Sequence, residues 1–363
     1  MGAMREIEWD SCLIEPIPAP KLEQRFRRET GRPGSLMRFF EGSSWLSDAV
    51  VRLSVQINTH VRVDADLADE AGLVVSQDNS CRFCFGAQRA FLRVLGMSEA
   101  RISRLEQNLL VGGFSERERA ALDFARRLSR SEPLLSEVEV DALRGHGFDE
   151  LEVAELSGMI GLHLFFNRLS TFAALPPRAM ESFPDQWWVR VARPLMAIRF
   201  RRMRRFQAPD PLTEGERVGP FSEIVNALDG HPLARQLRGI IDGAWNSTQL
   251  SKRAVPLVFA VVARALGCRV SEREARRLLA LTELTEEQIE EVLTHLSSAA
   301  LDEVERLAVS FARETVWYQP VRIQQRCREI QSHLSREQFL ELLGVVSLAN
   351  TICRLGALSG GCR

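Results

Sequence analysis

An all-α fold, built as two similar helical units in one chain, is what this sequence predicts, and three observations predict it. Apolar residues recur at helical spacing along most of the chain, and no stretch shows a clear period-two alternation. Aromatics are 7% of the residues and tyrosine occurs once, which is against an all-β sandwich. The third observation is a repeat. Ala121-Leu122-Asp123-Phe124-Ala125-Arg126 reads like Ala308-Val309-Ser310-Phe311-Ala312-Arg313, shifted by 187 residues. The same shift places Cys81-Arg82 on Cys268-Arg269 and His146 on His333. A shift of 183 places Asn167 on Asn350 and Ala174-Leu175 on Ala357-Leu358. The 363 residues therefore divide into an N-terminal segment 1–34, a first unit 35–175, a connector 176–219 and a second unit 220–363.

In chain order, Asn79-Ser80 precedes a helix that begins at the cysteine pair Cys81-Arg82-Phe83-Cys84 and runs to Leu95, with Gly96 as its stop. Ser80 or Asn79 reads as the N-cap. Ser115 and Glu118 form a capping box, and Glu116 to Leu128 then places Ala121, Phe124, Ala125 and Leu128 on one stripe. Leu151 to Phe166 is apolar on all sides and reads as a buried helix. Thr285 to Leu296 and Leu301 to Val316 repeat the amphipathic pattern, and Thr285 opens the first of these. His146 and His333 read as turn or capping residues.

In the connector, Pro176, Pro177, Pro184, Pro194, Pro209 and Pro211 break regular structure. Trp187-Trp188 precedes seven arginines, no acid occurs from Gln186 to Pro209, and Met196, Phe200 and Met203 share a helical face. One reading is a surface for anionic lipid, nucleic acid or an acidic partner. The other is a connecting helix whose Trp pair fills the gap between units and whose arginines pair with acids elsewhere. The overall charge balance favours the second.

Composition bounds the class. Hydrophobic residues are 45% and charged residues 26%, as in ordinary globular proteins. Net charge is −1, so no nucleic-acid partner is expected. No apolar run approaches the ~20 residues of a membrane span. Met1 to Asp10 has no apolar core of a secretory signal. Seven cysteines, five of them scattered, fit reduced thiols and a cytoplasmic protein.

The chemistry concentrates at Cys81 and Cys84. At a helix start the two thiols share a face, close enough for a disulfide. Unpaired N–H groups and the positive end of the helix favour a thiolate there. Gln88 lies on the same face. Zinc would need four ligands, and there is no second CxxC and no HxxxH. Two inert buried thiols are the remaining alternative.

Residues 69–96 resemble the core of the alkylhydroperoxidase D-like / carboxymuconolactone decarboxylase superfamily. That core has an acid, eleven residues, then Cys-x-x-Cys-x-x-x-His. Here Asp69 stands twelve before Cys81, with Ser76 and Ala87 at matching positions, and the helix from Glu118 to Leu128 and Asn167-Arg168 follow downstream. The resemblance covers most of 35–175 and recurs from about 222 to 358, which implies tandem domains forming a pseudo-dimer. It further implies that Cys84 attacks peroxide, Cys81 resolves the sulfenic acid, and Asp69 is the relay acid. The sequence departs from the pattern at Gln88, where the relay histidine is expected, at Phe83, where some peroxidases place a second histidine, and at Asp69, where Glu is usual. Glutamine cannot titrate, and loss of a proton relay costs ~10²–10⁴ in rate. His163, one turn before Asn167, reads either as a substitute base or as a satisfied core histidine. Helix position favours Cys81 for exchange with a partner dithiol, whereas the resemblance favours Cys84 for peroxide.

In the second unit Cys268 answers Cys81, but Ser271 and Ala275 replace the second cysteine and the histidine, and Pro256 stands at the acid's position. That unit is expected to be scaffold. The expected function is a thiol oxidoreductase cycling Cys81 and Cys84, with weak peroxidase activity, no cofactor and no metal. Its partners would be a small hydroperoxide and an external dithiol reductant, in a homo-oligomer. The alternatives are a non-redox enzyme acting on a small carboxylic acid, which needs neither cysteine, and a non-catalytic helical interaction module.

Overall fold

The computed structural model describes residues 12–107, 109, 113–130, 136–176 and 183–359. Cys362 and Pro177 lie outside the described residues. The architecture is all-α. Helix α1 (Pro20–Thr30) and α2 (Ser44–Gln56) lead to a two-residue strand β1 (Thr59–His60). Then come α3 (Ala65–Asp78), α4 (Arg82–Leu95), α5 (Glu99–Gln107), α6 (Glu116–Ser129), α7 (Glu137–Gly145) and α8 (Glu150–Phe172). The connector contains α9 (Trp187–Met203) and a second two-residue strand β2 (Arg205–Phe206). The C-terminal half holds α10 (Ser222–Asn226), α11 (Pro232–Trp245), α12 (Ala254–Leu266), α13 (Arg269–Leu279), α14 (Glu286–His295), α15 (Glu303–Glu314), α16 (Pro320–Gln331) and α17 (Arg336–Leu355).

The helix starts follow local chemistry. Ser115 accepts from the Glu118 amide at 3.2 Å while the Glu118 carboxylate accepts from the Ser115 amide at 2.7 Å, the reciprocal box expected at α6. Thr285 and Gln288 do the same at α14. His146 ends α7 as its C-cap, a turn role. Three expectations are corrected. A parallel ladder pairs Thr59 with Arg205 and His60 with Phe206, too short to show as an alternation in sequence. Pro194 lies inside α9 rather than ending it. Trp187 is 78% exposed, so the Trp pair does not fill a gap between halves.

The two halves share one apolar core. Helices α8 and α17, both almost wholly buried, pack along each other at its centre. Gly161 permits this approach, since a Cβ there would come within 3.1 Å of Leu355 Cδ1. Buried carboxylates pin the helices to distant segments. Glu155 on α8 accepts the backbone N–H groups of Val61, Arg62 and Val63 at 2.8, 2.6 and 2.9 Å. Glu341 on α17 accepts from Ser43 at 2.7 Å and from the Trp45 indole. Such bonds satisfy groups that would otherwise be costly to bury. Among the described residues one helix, Arg336–Ser359, is long and apolar enough to cross a membrane, and 89% of that window is buried inside the protein.

Candidate active site

The dithiol sits where α3 gives way to α4. Asn79 ends α3, its side-chain amide donating to the Val75 carbonyl at 2.9 Å. Ser80 takes a left-handed φ of 47°, which turns the chain sharply. The N-cap is therefore Cys81 itself, not Asn79 or Ser80. Its sulfur accepts from the Cys84 backbone N–H at 3.4 Å, the role an Asp or Ser oxygen plays at other helices. A sulfur that caps a helix faces the free N–H groups and the positive end of the dipole. The equivalent start of α13 is Cys268, whose thiol donates to the Ser271 hydroxyl at 3.2 Å.

Both cysteines are free thiols. Cys81 is fully buried, whereas Cys84 is 9% exposed and lines a cavity of about 230 Å³. The cavity walls are apolar and rich in phenylalanine: Phe26, Phe40, Phe83, Phe91, Phe166 and Phe200. Its polar groups are few, namely Cys84, Gln88, His163, Arg32, Ser54 and Ser170. Cys84 Sγ lies 3.7 Å from the Ser170 hydroxyl.

Gln88 and His163 meet at this cavity. The Gln88 amide nitrogen is 3.4 Å from His163 Nδ1, so with the proton on Nε2 the ring accepts from the amide. Gly72 makes the meeting possible. A Cβ at 72 would come within 2.5 Å of His163 Nε2 and 3.0 Å of the Gln88 amide nitrogen. Burial, with a smaller contribution from Arg32, pushes His163 down to about 4. The ring is neutral at neutral pH and resists protonation until the pH falls towards 4.

That shift is also a stability statement. Between pH 6.5 and 4 the unfolded chain protonates this histidine while the folded chain does not. The stability it carries is present above pH 6.5 and is lost as pH falls towards 4. The shift is worth about 3 kcal/mol. Urea unfolding at pH 7 and pH 4.5 is expected to show a smaller acid-induced loss in His163→Gln than in the unsubstituted chain. His60 and His231, also pushed down to about 4 by burial, remain in both proteins and cancel. Equal losses would mean that His163 is protonated in place at no cost.

Asp69 is placed differently from Gln88 and His163. It is buried on α3, and its carboxylate is 2.7 Å from Arg204, which also pairs with Asp66. Burial raises it to about 7 against the pull of Arg204. It does not line the cavity that Cys84 and Gln88 share.

Three residues to which the sequence reading gave no role at the site lie at or beside it. Arg32 reaches the cavity with its guanidinium bonded to Asn58 at 3.0 Å. Tyr318, the chain's single tyrosine, enters from the turn between α15 and α16 of the other half. Its hydroxyl donates to the Asn167 carbonyl at 3.2 Å and meets the Thr171 hydroxyl. Burial, and next the neighbouring charge of Cys81, raise its phenol well above the usual value. Arg168 is fully buried with its guanidinium 4.2 Å above the Tyr318 ring, and none of its three side-chain nitrogens has a hydrogen-bond partner among the described residues. Burial lowers it to about 10. Asn167-Arg168 was legible as a motif, but Tyr318 is 150 residues from Arg168 and no local pattern links the two.

Among the described residues no group of three or more His, Cys, Asp or Glu side chains is placed to hold a metal ion. No family model and no curated protein matches the chain. Among solved structures the chain is similar to an uncharacterized peroxidase-related protein from Silicibacter sp. TM1040, at 21% identity over 48% of this chain and 95% of that one, with a TM-score of 0.41.

Proposed function

We propose that the protein is a thiol-dependent oxidoreductase that cycles Cys81 and Cys84 between dithiol and disulfide, reducing a hydroperoxide admitted to the apolar cavity. The observation that carries this reading is the pairing at the start of α4: one thiol caps the helix and the other, three residues on, opens into a cavity beside Gln88 and a neutral histidine. The Cys84 thiolate attacks the distal peroxide oxygen. The O–O bond breaks, the leaving oxygen takes a proton and departs as alcohol or water, and Cys84 becomes a sulfenic acid. The Cys81 thiolate then displaces hydroxide, which leaves as water, and the disulfide forms. An external dithiol supplies two electrons to reopen it. Because Cys81 is fully buried, that dithiol meets Cys84 first, which reverses the assignment made from helix position.

His163 lines the cavity as a neutral hydrogen-bonding group, with Gln88 orienting its ring, and the place of the relay histidine is left without a base that titrates near neutral pH. Asp69 acts as a positioning residue that holds α9 over α3 through Arg204. The second half is a duplicated copy without a dithiol, retained as scaffold and as the source of Tyr318. The test is thiol counting with peptide mapping before and after one equivalent of hydroperoxide. Loss of two thiols per chain with a mapped Cys81–Cys84 disulfide is the expected result, and unchanged thiols would overturn the reading.

Gln88→His tests the relay. It is expected to raise peroxide consumption near neutral pH by about ten-fold or more, because it adds a titrating base on the face of Cys84. The pH profile separates the bases. The unsubstituted protein should show no inflection near pH 6.5, since His163 titrates near 4, and the variant should gain one. A rise in rate without a new inflection would show that position 88 acts by packing alone.

A second reading rests on Arg32. A guanidinium facing an apolar cavity is a recognition group for an organic carboxylate, so a non-redox reaction on an acid uses the same walls. Under that reading Arg32→Gln abolishes turnover and Cys84→Ser leaves it intact.

A further inference from the structure

Helix α9 carries two apolar faces. The inner one contributes Phe200 to the thiol cavity, where its ring meets Phe91 edge-on at 5.4 Å. The outer one faces solvent among the described residues. Trp187, Val191 and Leu195 are 78%, 75% and 74% exposed, and Ile198 and Trp188 are about half exposed. Positions 187, 191, 195 and 198 recur at the spacing of one helical stripe, with 188 beside them. A contiguous stripe of five large apolar side chains on a solvent-facing helix is unlike scattered surface apolar residues.

The borders of the stripe are cationic. Arg199 and Arg202 flank it on one side and Arg190 and Arg201 on the other, all exposed. No acid lies between Gln186 and Pro209. Arg193, Arg199 and Arg202 form no ion pair among the described residues, and the nearest acid, Asp185, is already shared by Arg93 and Arg190. This charge decides the occupant. A second copy docking through the same face would set these arginines against their own counterparts. An anionic lipid surface accepts both features at once: headgroups pair with the guanidinium groups, and tryptophans at one end of the stripe suit the boundary between headgroups and acyl chains.

We propose that the outer face of α9 docks the protein on anionic membranes, with α9 lying in the plane of the surface. Docking there brings the apolar cavity, which lies under the same helix, next to lipid.

Cosedimentation with phosphatidylcholine vesicles, with and without one quarter phosphatidylglycerol, tests this. Binding about ten-fold or more tighter to the anionic vesicles, weakening with salt, is the expected result. Val191→Glu with Leu195→Glu should abolish it. Both positions are highly exposed, so the fold is retained, and circular dichroism checks that. Trp187→Ala with Trp188→Ala should weaken binding independently. Three results would overturn the proposal: no vesicle binding by the folded unsubstituted chain; binding that survives the glutamate pair and depends on arginine alone, as a general polyanion surface would; or a concentration-dependent dimer that the glutamate pair dissociates.

Discussion

Cys84→Ser is expected to lower peroxide consumption by about 10³-fold or more, since a serine hydroxyl at this position has no strong base to ionise it and the sulfur nucleophile is gone. Cys81→Ser should behave differently. Cys84 still attacks, but no second sulfur is present to displace hydroxide, so the reaction stops after one equivalent with a sulfenic acid on Cys84. Dimedone labelling of the Cys84 peptide, strong in Cys81→Ser and absent in Cys84→Ser, separates the two roles. The opposite pattern would assign the attack to Cys81, which would then have to leave its capping position to reach peroxide. That position has its own consequence. Cys81 replaced by Asp, which caps helices well, should leave the fold intact while removing the resolving thiol, so that it too stops after one equivalent. The single turnover of Cys81→Ser would then not be attributable to a disordered start of α4.

The second large effect is expected at Arg168. A buried guanidinium that stacks on the Tyr318 ring and whose nitrogens have no hydrogen-bond partner among the described residues opposes folding, and replacing buried charge by an apolar side chain of similar size is often neutral or stabilising by about 1–4 kcal/mol. Its location accounts for its presence. Arg168 stacks on Tyr318, the tyrosine is close enough to the dithiol for the charges of Cys81 and Cys84 to raise its phenol, and Ser170 on the same turn touches Cys84. A fixed positive charge behind the pair favours the thiolate over the thiol. Arg168→Leu is therefore expected to leave thermal stability equal or higher while raising the pKa of the reactive thiol by about one unit, which is about ten-fold slower alkylation of Cys84 at neutral pH. Arg168→Lys keeps the charge and should restore most of the alkylation rate. Tyr318→Phe retains the ring under the guanidinium and should change the thiol pKa less than Arg168→Leu does. A drop in stability with no change in the thiol pKa would make Arg168 a packing residue only.

Local patterns were enough for the helical class, the capping box at Ser115, the helix start at Thr285, the buried run that became α8, and the cysteine pair at a helix start. These depend on neighbours three or four residues apart, and a helix satisfies its own backbone within that range. Sequence also brought forward Gln88 and His163 separately, but not their contact, which exists because Gly72 on a third helix leaves room for both side chains. Folding decided the rest, because burial and charge pairing are set by which distant segments share a wall. The short β1–β2 ladder brings the end of α9 over α3, so Asp69 meets Arg204 rather than the dithiol. Close packing of α8 against α16 and α17 carries Tyr318 from the second half to Arg168, a partnership 150 residues apart in the chain. For the Trp-Arg segment of α9 the balanced total charge favoured a connecting helix, its Trp pair filling a gap and its arginines paired with acids, over a binding surface. Only the packed chain shows that its acids are committed elsewhere and that this face is left to solvent, since net charge is a sum over the whole surface and carries no information about where each sign lies.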